Sequence, residues 1–557
     1  MGTGFGSQWR TASIRIDQRW ANMYMRKLTQ SVVTGCDKAV VETPYGKIRG
    51  AIIEGTYVFR GIKYADAKRF HAPAPVASWT GTKPALVYGY VAPELNTPIA
   101  HDASYVPHFL YPQNENCQYL NIWTQHLDHN AKKPVMVWLH GGGWFSGSSV
   151  ELVAYDGENL SKFGDVVVVS LNHRLGPLGF LDLSAYGAEY QAAKNAGLLD
   201  IIAALRWIHD SIAAFGGDPG NVTIMGQSGG GGKVMALQQS PLADGLYHRG
   251  IMQSGGCDAR DCLAEDAQDL AERVVHCLDI GKQNIKKIKT VPYYDFARAV
   301  SKAIADWRDD NKGRRYMWGP VADGKVYLGH PLTHGFWEYS AHIPLIIGTC
   351  FGEFSGNADV HLAEGSKNKW TEQEVRALYE RRYGRSAEAA YRAFAAAYPD
   401  KKAVDGLFLD RDMRPGVIRY VKERAAKCQA STFCYLFSLE SSWNGGTVAW
   451  HNAEEPYMFH NAAYIESAYI PGVSEALQDQ MSGAWVSFAR TGDPNHRGLP
   501  LWKPSTCSGV HTMLFDRKCQ EVVNHDGEFL SIAPLPLENK KNFNGSALMH
   551  AVYGARY

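Results

Sequence analysis

A serine framed by glycines, Gly226-Gln227-Ser228-Gly229-Gly230, follows the strand-like run VTIM and precedes the helix-like run KVMAL. The G-x-S-x-G spacing is that of a nucleophile elbow, a sharp turn that lifts a serine hydroxyl clear of a sheet. Side chains at Gly226 and Gly230 would crowd such a turn. A phosphate-binding loop is the competing reading, with Gly232-Lys233 set on its Gly-Lys. That alignment puts Gln227 where the first glycine belongs and Val234 where a magnesium-binding hydroxyl is required. The elbow fits without a gap and is preferred.

A serine hydroxyl is a poor nucleophile near neutral pH. It needs a base, a group that orients the base, and donors for the oxyanion. The donors have a source in His140-Gly141-Gly142-Gly143, which directly follows the apolar run VMVWL. In a loop of this HGGG type the backbone N–H groups point at developing negative charge. Gly142 and Gly143 are therefore expected in the oxyanion hole, with the N–H of Gly229 as third donor and a structural part for His140. The base is not readable from residue type alone, because the chain has 20 histidines.

These groups need a scaffold that brings them to one place. KPVMVWLHGGG and DVVVVSLNHR are continuous apolar runs ending in polar residues or glycine, as strands buried on both faces should be. NAGLLDIIAALRWIHDSIAAFGG is apolar at helical spacing and stops at a glycine pair. NVTIMGQSGG, HRGIMQSGG and IPLIIGTCFGE add further strand-to-loop transitions. The earlier AVVETPYGKIRGAII and YVFRGIKYA read as small N-terminal antiparallel strands. Strands interleaved with helices predict an α/β fold, a large, mostly parallel sheet flanked by helices. Ligands bind such sheets beyond the carboxyl ends of the strands, the end at which Ser228 falls. Residues 1–38 read as an N-terminal extension, with Trp20, Met23, Tyr24 and Leu28 on one stripe of a short helix. Residues 39–557 read as a single domain.

Bulk composition narrows the partners. With 57 basic against 56 acidic residues and no basic block, no nucleic acid or anionic membrane partner is expected. No run approaches the ~18 apolar residues of a membrane span, and the N-terminus lacks the apolar core of a signal peptide. A cytoplasmic location is expected, with secretion the alternative if a leader has been removed. The cysteines form no CxxC and no Cys/His cluster of zinc spacing, so no metal is expected. Oligomeric state is left open.

Several long motifs resemble the type-B carboxylesterases, the α/β-hydrolase family that includes the cholinesterases. They include FRGIKYA (59–65), ENCQYLNIW (115–123), HGGGWFSGSS (140–149), LNHRLGPLGFL (171–181), ALRWIHDSIAAFGGDPGNVTIMGQSGG (204–230) and FARTGDPN (488–495). The resemblance covers roughly residues 39–535 and implies a serine carboxylesterase working through an acyl-enzyme. It places the acid at Glu353 in IPLIIGTCFGEFSGN, in agreement with the order Ser, Asp/Glu, His. It places the base at His451 in WHNAEEPYMF, with Glu454 and Phe459 at the family's offsets and His460 as runner-up. The segment RRYMWGPVADGK resembles the acyl-pocket lining, which adds Tyr316 and Trp318 to Trp144, Phe145 and Trp450 as candidate pocket walls. Such walls suit apolar or aromatic small-molecule esters, with no cofactor. The alternatives are a catalytically silent adhesion-type member, or an amidase, lactonase or carbamate hydrolase with the same triad.

The chain departs from the family at informative places. Gln227 and Gly229 flank the serine where Glu and Ala are common. No tryptophan stands in 93–116, so a choline ester is not the expected substrate. Ala92 holds the place of the family's disulfide partner for Cys117, and the loop between Tyr64 and Phe70 is short. Cys257 and Cys277 fall where a second family disulfide lies, and free thiols are expected there in a reducing compartment.

Overall fold

The apolar runs ending at Leu139 and Leu171 are buried along nearly their whole length and lie side by side in parallel. They belong to one large sheet in the computed structural model, which describes residues 31–95, 106–257, 261–354 and 367–534. The helical stripe read at Trp20, Met23, Tyr24 and Leu28 lies outside those residues.

The strands of this sheet, in chain order, are β1 (Val32–Val33), β2 (Ala51–Ile53), β3 (Thr56–Lys63), β4 (Tyr119–Thr124), β5 (Lys133–Leu139) and β6 (Val167–Leu171). They continue as β7 (Gly217–Gln227), β8 (Arg249–Gln253), β9 (Leu345–Cys350), β10 (Thr432–Phe437), β11 (His511–Phe515) and β12 (Gln520–Val523). Their spatial order is β1-β2-β3-β4-β6-β5-β7-β8-β9-β10-β11-β12. Every pairing from β6 across to β11 is parallel, whereas β1 to β4 and β12 pair antiparallel at the two edges. The early strands divide between this edge and a separate small sheet, in which Val40–Thr43 pairs antiparallel with Gly46–Arg49. Val32 and Val33, within the stretch read as an extension, pair with Ile53 and Ile52.

Alternation along the central strands builds two cores. Met136, Trp138, Val168 and Met225 point to one face, and Val135, Val137, Val169 and Ile224 to the other. Helix α1 (Ala196–Ser211) covers the second face with Leu198, Ile201, Leu205 and Ile208. Its continuation stops at Gly216, whose φ of 79° suits a glycine helix end. The first face receives Leu477, Met481, Trp485 and Phe488 of the helix Ser474–Thr491. Covering both faces is what makes continuous apolar strands tolerable.

One buried ion pair ties the loop after β6 to α1. Arg174 Nη2 lies 2.6 Å from Asp200 Oδ1 and Nε 2.8 Å from Oδ2, both side chains excluded from solvent. The same carboxylate accepts the Arg174 backbone N–H at 3.0 Å and the Gln118 amide at 3.2 Å. Asp200→Ala would leave a buried guanidinium without its counter-ion. It is expected to lower the unfolding free energy by about 3–5 kcal/mol, read as a lower urea midpoint with the slope unchanged.

Candidate active site

Strand β7 ends at Gln227, and helix α2 (Gly229–Gln238) starts one residue after Ser228. Ser228 is held at φ 57°, ψ −123°, a region that side-chain-bearing residues rarely occupy. Its N–H donates to the Gln253 carbonyl at 2.8 Å, and its own carbonyl accepts the Gly232 N–H at 3.1 Å. The turn is closed by backbone approach. A β-carbon on Gly230 would collide with the Leu139 carbonyl oxygen, and one on Gly226 would lie 2.6 Å from the same atom.

The HGGG loop meets the elbow in the same way. A β-carbon on Gly229 would collide with the Gly143 carbonyl, and Gly142 takes a φ of 76° that favours glycine. Among the described residues, the N–H groups of Gly142 and Gly143 donate to no protein acceptor. The N–H of Gly229 begins a helix and so has no intrahelical acceptor. All three glycines line one cavity with Ser228.

Two loops from the far side of β8 bring Glu353 and His451 together. A parallel bridge joins Glu353 to Trp450, with the His451 N–H on the Glu353 carbonyl at 3.1 Å and the Gly352 N–H on that of Ala449 at 2.8 Å. The ring of His451 bonds through Nδ1 to Glu353 Oε2. The other carboxylate oxygen accepts the Ser254 hydroxyl at 2.6 Å and the Cys350 N–H at 2.7 Å. At the far side of the ring the Gln227 amide lies 3.2 Å from Nε2. An amide N–H donating there leaves Nε2 the acceptor and puts the ring proton on Nδ1, facing the carboxylate. Phe354 lies over the imidazole, ring centres 4.1 Å apart.

Burial dominates the electrostatics. Glu353 is fully buried, which raises its pKa above the carboxylate range, while the bonds from Ser254 and Cys350 act to lower it. Asp410 is also raised by burial and by the charge of Glu353, against the pull of the Arg414 and Asp412 N–H groups that it accepts. Glu454 is a third raised carboxyl, again through burial first and Glu353 second. It accepts from Cys350 Sγ at 2.8 Å and Tyr435 at 3.2 Å.

The cavity has a volume of about 840 Å³ and is lined by Ser228, His451 and the three glycines, with Trp144, Phe145 and Trp318 among its aromatic walls. Two aromatic residues expected in those walls do not line it. Tyr316 lies behind Trp318, packed edge-on between it and Trp307 and bonded to Cys262. Trp450 is buried in the core, where its backbone bridges Glu353. The runner-up His460 pairs with Asp479 at 2.7 Å and stacks on Phe163, away from the cavity. His140 is buried and stacks on His173 rather than facing the cavity. Cys257 and Cys277 form no disulfide. Ala92, Cys117 and Leu175 pack as one small cluster.

Ser254, Asp410 and Lys233 touch this machinery without having been singled out for it by sequence. Ser254 alone carried a signal, since QSGG at 253–256 repeats the end of the strand-to-loop pattern at 227–230. Nothing near Asp410 in sequence points toward Glu353.

A largely parallel sheet with a serine on a strained strand-to-helix turn at its carboxyl edge defines an α/β-hydrolase. Residues 37–528 match the model of the carboxylesterase family, and the chain belongs to that family. It is 32% identical over 482 residues to phenmedipham hydrolase of Pseudarthrobacter oxydans, covering 84% of this chain and 92% of the relative. It is 32% identical over 471 residues to para-nitrobenzyl esterase of Bacillus subtilis, covering 82% and 90%. A solved esterase of anaerobic Clostridium hathewayi, described as hydrolysing aliphatic aromatic polyesters, superposes with a TM-score of 0.86 at 42% identity. That match covers 90% of this chain and 99% of the other. The protein is a serine carboxylesterase, a carboxylic ester hydrolase.

Because the elbow has no room for a methyl group, Gly230→Ala is expected to destabilise the fold by about 4 kcal/mol or more. Urea unfolding monitored by tryptophan fluorescence measures this; an unchanged midpoint would mean that β5 and the elbow can move apart.

Proposed function

We propose that ester hydrolysis proceeds through Ser228 as nucleophile, His451 as general base and acid, and Glu353 as the group that orients it. The observation that carries this reading is the His451 ring, fixed by Glu353 at Nδ1 so that Nε2 is the acceptor nitrogen, in the cavity that Ser228 lines. The Ser228 hydroxyl attacks the ester carbonyl as its proton passes to Nε2. Gly142, Gly143 and Gly229 N–H groups receive the oxyanion, and the charge of Glu353 stabilises the imidazolium. His451 then protonates the departing alcohol. Water repeats the cycle on the acyl-Ser228 ester, releasing the acid.

Esters of aromatic acids with small or medium alcohols are the proposed substrates. The volume suits a small molecule, and Trp144, Phe145 and Trp318 offer flat apolar faces. The relative from Clostridium hathewayi, described as acting on aliphatic aromatic polyesters, supports an aromatic group in the ester.

Fluorophosphonate labelling with mass mapping tests the roles. Ser228 is expected to carry the adduct. His451→Ala is expected to lower kcat on p-nitrophenyl benzoate by about 10⁶-fold and Glu353→Gln by about 10⁴-fold. Labelling of a different serine would overturn the assignment.

The pH profile tests Glu353 separately, because only its ionised form can hold an imidazolium. Protonation of a carboxyl whose pKa is raised switches activity off as pH falls through that pKa. Ser254→Ala removes a bond that favours the charged form, so the acid limb of kcat/KM should move to higher pH. Asp410→Asn removes a neighbouring negative charge, so the limb should move to lower pH. Shifts in the same direction, or none, would remove Glu353 from the titration.

A further inference from the structure

Lys233 lies in the second turn of α2, and its side chain is 0% exposed. The ammonium donates to the carbonyl oxygens of His140 at 2.7 Å and Gly141 at 3.3 Å. It also lies 5.7 Å from the centre of the Trp144 ring. Burying a cation is costly unless it is well satisfied, and the two carbonyls supply that satisfaction. They are also the carbonyls that precede the cavity-lining amides.

A trans peptide points its C=O and its N–H in opposite directions. Drawing the Gly141 carbonyl toward α2 therefore turns the Gly142 N–H the other way. The His140 carbonyl does the same for the Gly141 N–H. The ammonium thus sits behind the loop, with the cavity in front of it.

We propose that Lys233 is a positioning residue for ester hydrolysis: its buried ammonium holds the His140 and Gly141 carbonyls so that the loop presents its amides to the cavity, and its charge backs the oxyanion. This inference rests on the reading of Gly142, Gly143 and Gly229 as oxyanion donors. A charge behind the loop gains energy when the carbonyl becomes an oxyanion, and little when a neutral ester merely binds. Its loss therefore falls on kcat rather than KM.

The groups facing Lys233 set when it is charged. Glu151 attracts it, while burial lowers its pKa to about 7. The His140 and His173 rings, stacked 5.1 Å apart, are held neutral by burial first and the lysine charge second. An amine with a lowered pKa is charged below that value and neutral above it. The wild-type kcat/KM should accordingly fall on the alkaline side as the charge is lost.

Lys233→Met removes both the charge and the donors; Lys233→Gln keeps an amide donor without the charge. Lys233→Met is expected to lower kcat on p-nitrophenyl esters by about 100-fold, comparable to loss of an oxyanion donor, with KM changed far less. Lys233→Gln should lose less, and both should lack the alkaline fall. Hydrogen exchange of the peptide spanning 140–143 should quicken most in Lys233→Met. Wild-type kcat in Lys233→Gln together with an unaltered alkaline limb would overturn the proposal, as would a lowered kcat with the pH profile intact. Folding of the glutamine variant is checked by circular dichroism and by its urea midpoint. If folded wild type takes no label at Ser228, the esterase reading fails. Faster 140–143 exchange in the methionine variant would even then uphold the anchoring of the loop, and unchanged exchange would remove it.

Discussion

At the carboxyl ends of β5 and β7, backbone passes so close to backbone that no β-carbon fits between. Gly230 lies against the Leu139 carbonyl and Gly229 against that of Gly143. This contact sets the angle at which α2 leaves the sheet and forces Ser228 into its strained conformation. It also seats the HGGG loop on the elbow. Ser228 and the HGGG loop are consequently joined by close packing of glycine against main-chain carbonyls, with Lys233 bonded to the His140 and Gly141 carbonyls behind.

Around this unit the protein buries charge of both signs. Glu353, Asp410 and Glu454 lie on the β9–β10 side, and Lys233 lies against the His140 carbonyl of the HGGG loop on the other. Each carries a cost of burial that its bonds only partly offset, which is why these groups titrate away from their ordinary values. The arrangement suits a reaction in which a neutral ester becomes an oxyanion beside an imidazolium. Charges fixed before the reaction need no solvent to reorganise.

Departures from the usual family pattern acquire physical content in this setting. Gln227, standing where a glutamate is common, approaches His451 Nε2 with an amide and adds no negative charge beside the nucleophile. Ala92 and Leu175 enclose Cys117, so apolar packing occupies the place where the family forms a disulfide. Phe354 lies over the catalytic-histidine candidate and shields it from one side.

Local patterns were enough to read the sheet, its central helices, the elbow and the HGGG loop, because each depends on sterics within a few residues. Glycine spacing speaks directly of where a β-carbon cannot go, and unbroken apolar runs speak of strands covered on both faces. Glu353 and His451 are 98 residues apart, and their positions were legible only through resemblance to a family. The rest was decided by tertiary packing. Tyr316 and Trp450 look no different in sequence from Trp318, yet a difference in facing puts them behind the cavity wall. Ser254, Asp410 and Lys233 gain their parts from neighbours on other strands and loops. A one-dimensional pattern records which side chains a segment carries; only the fold decides which of them share a wall, a charge or a hydrogen bond.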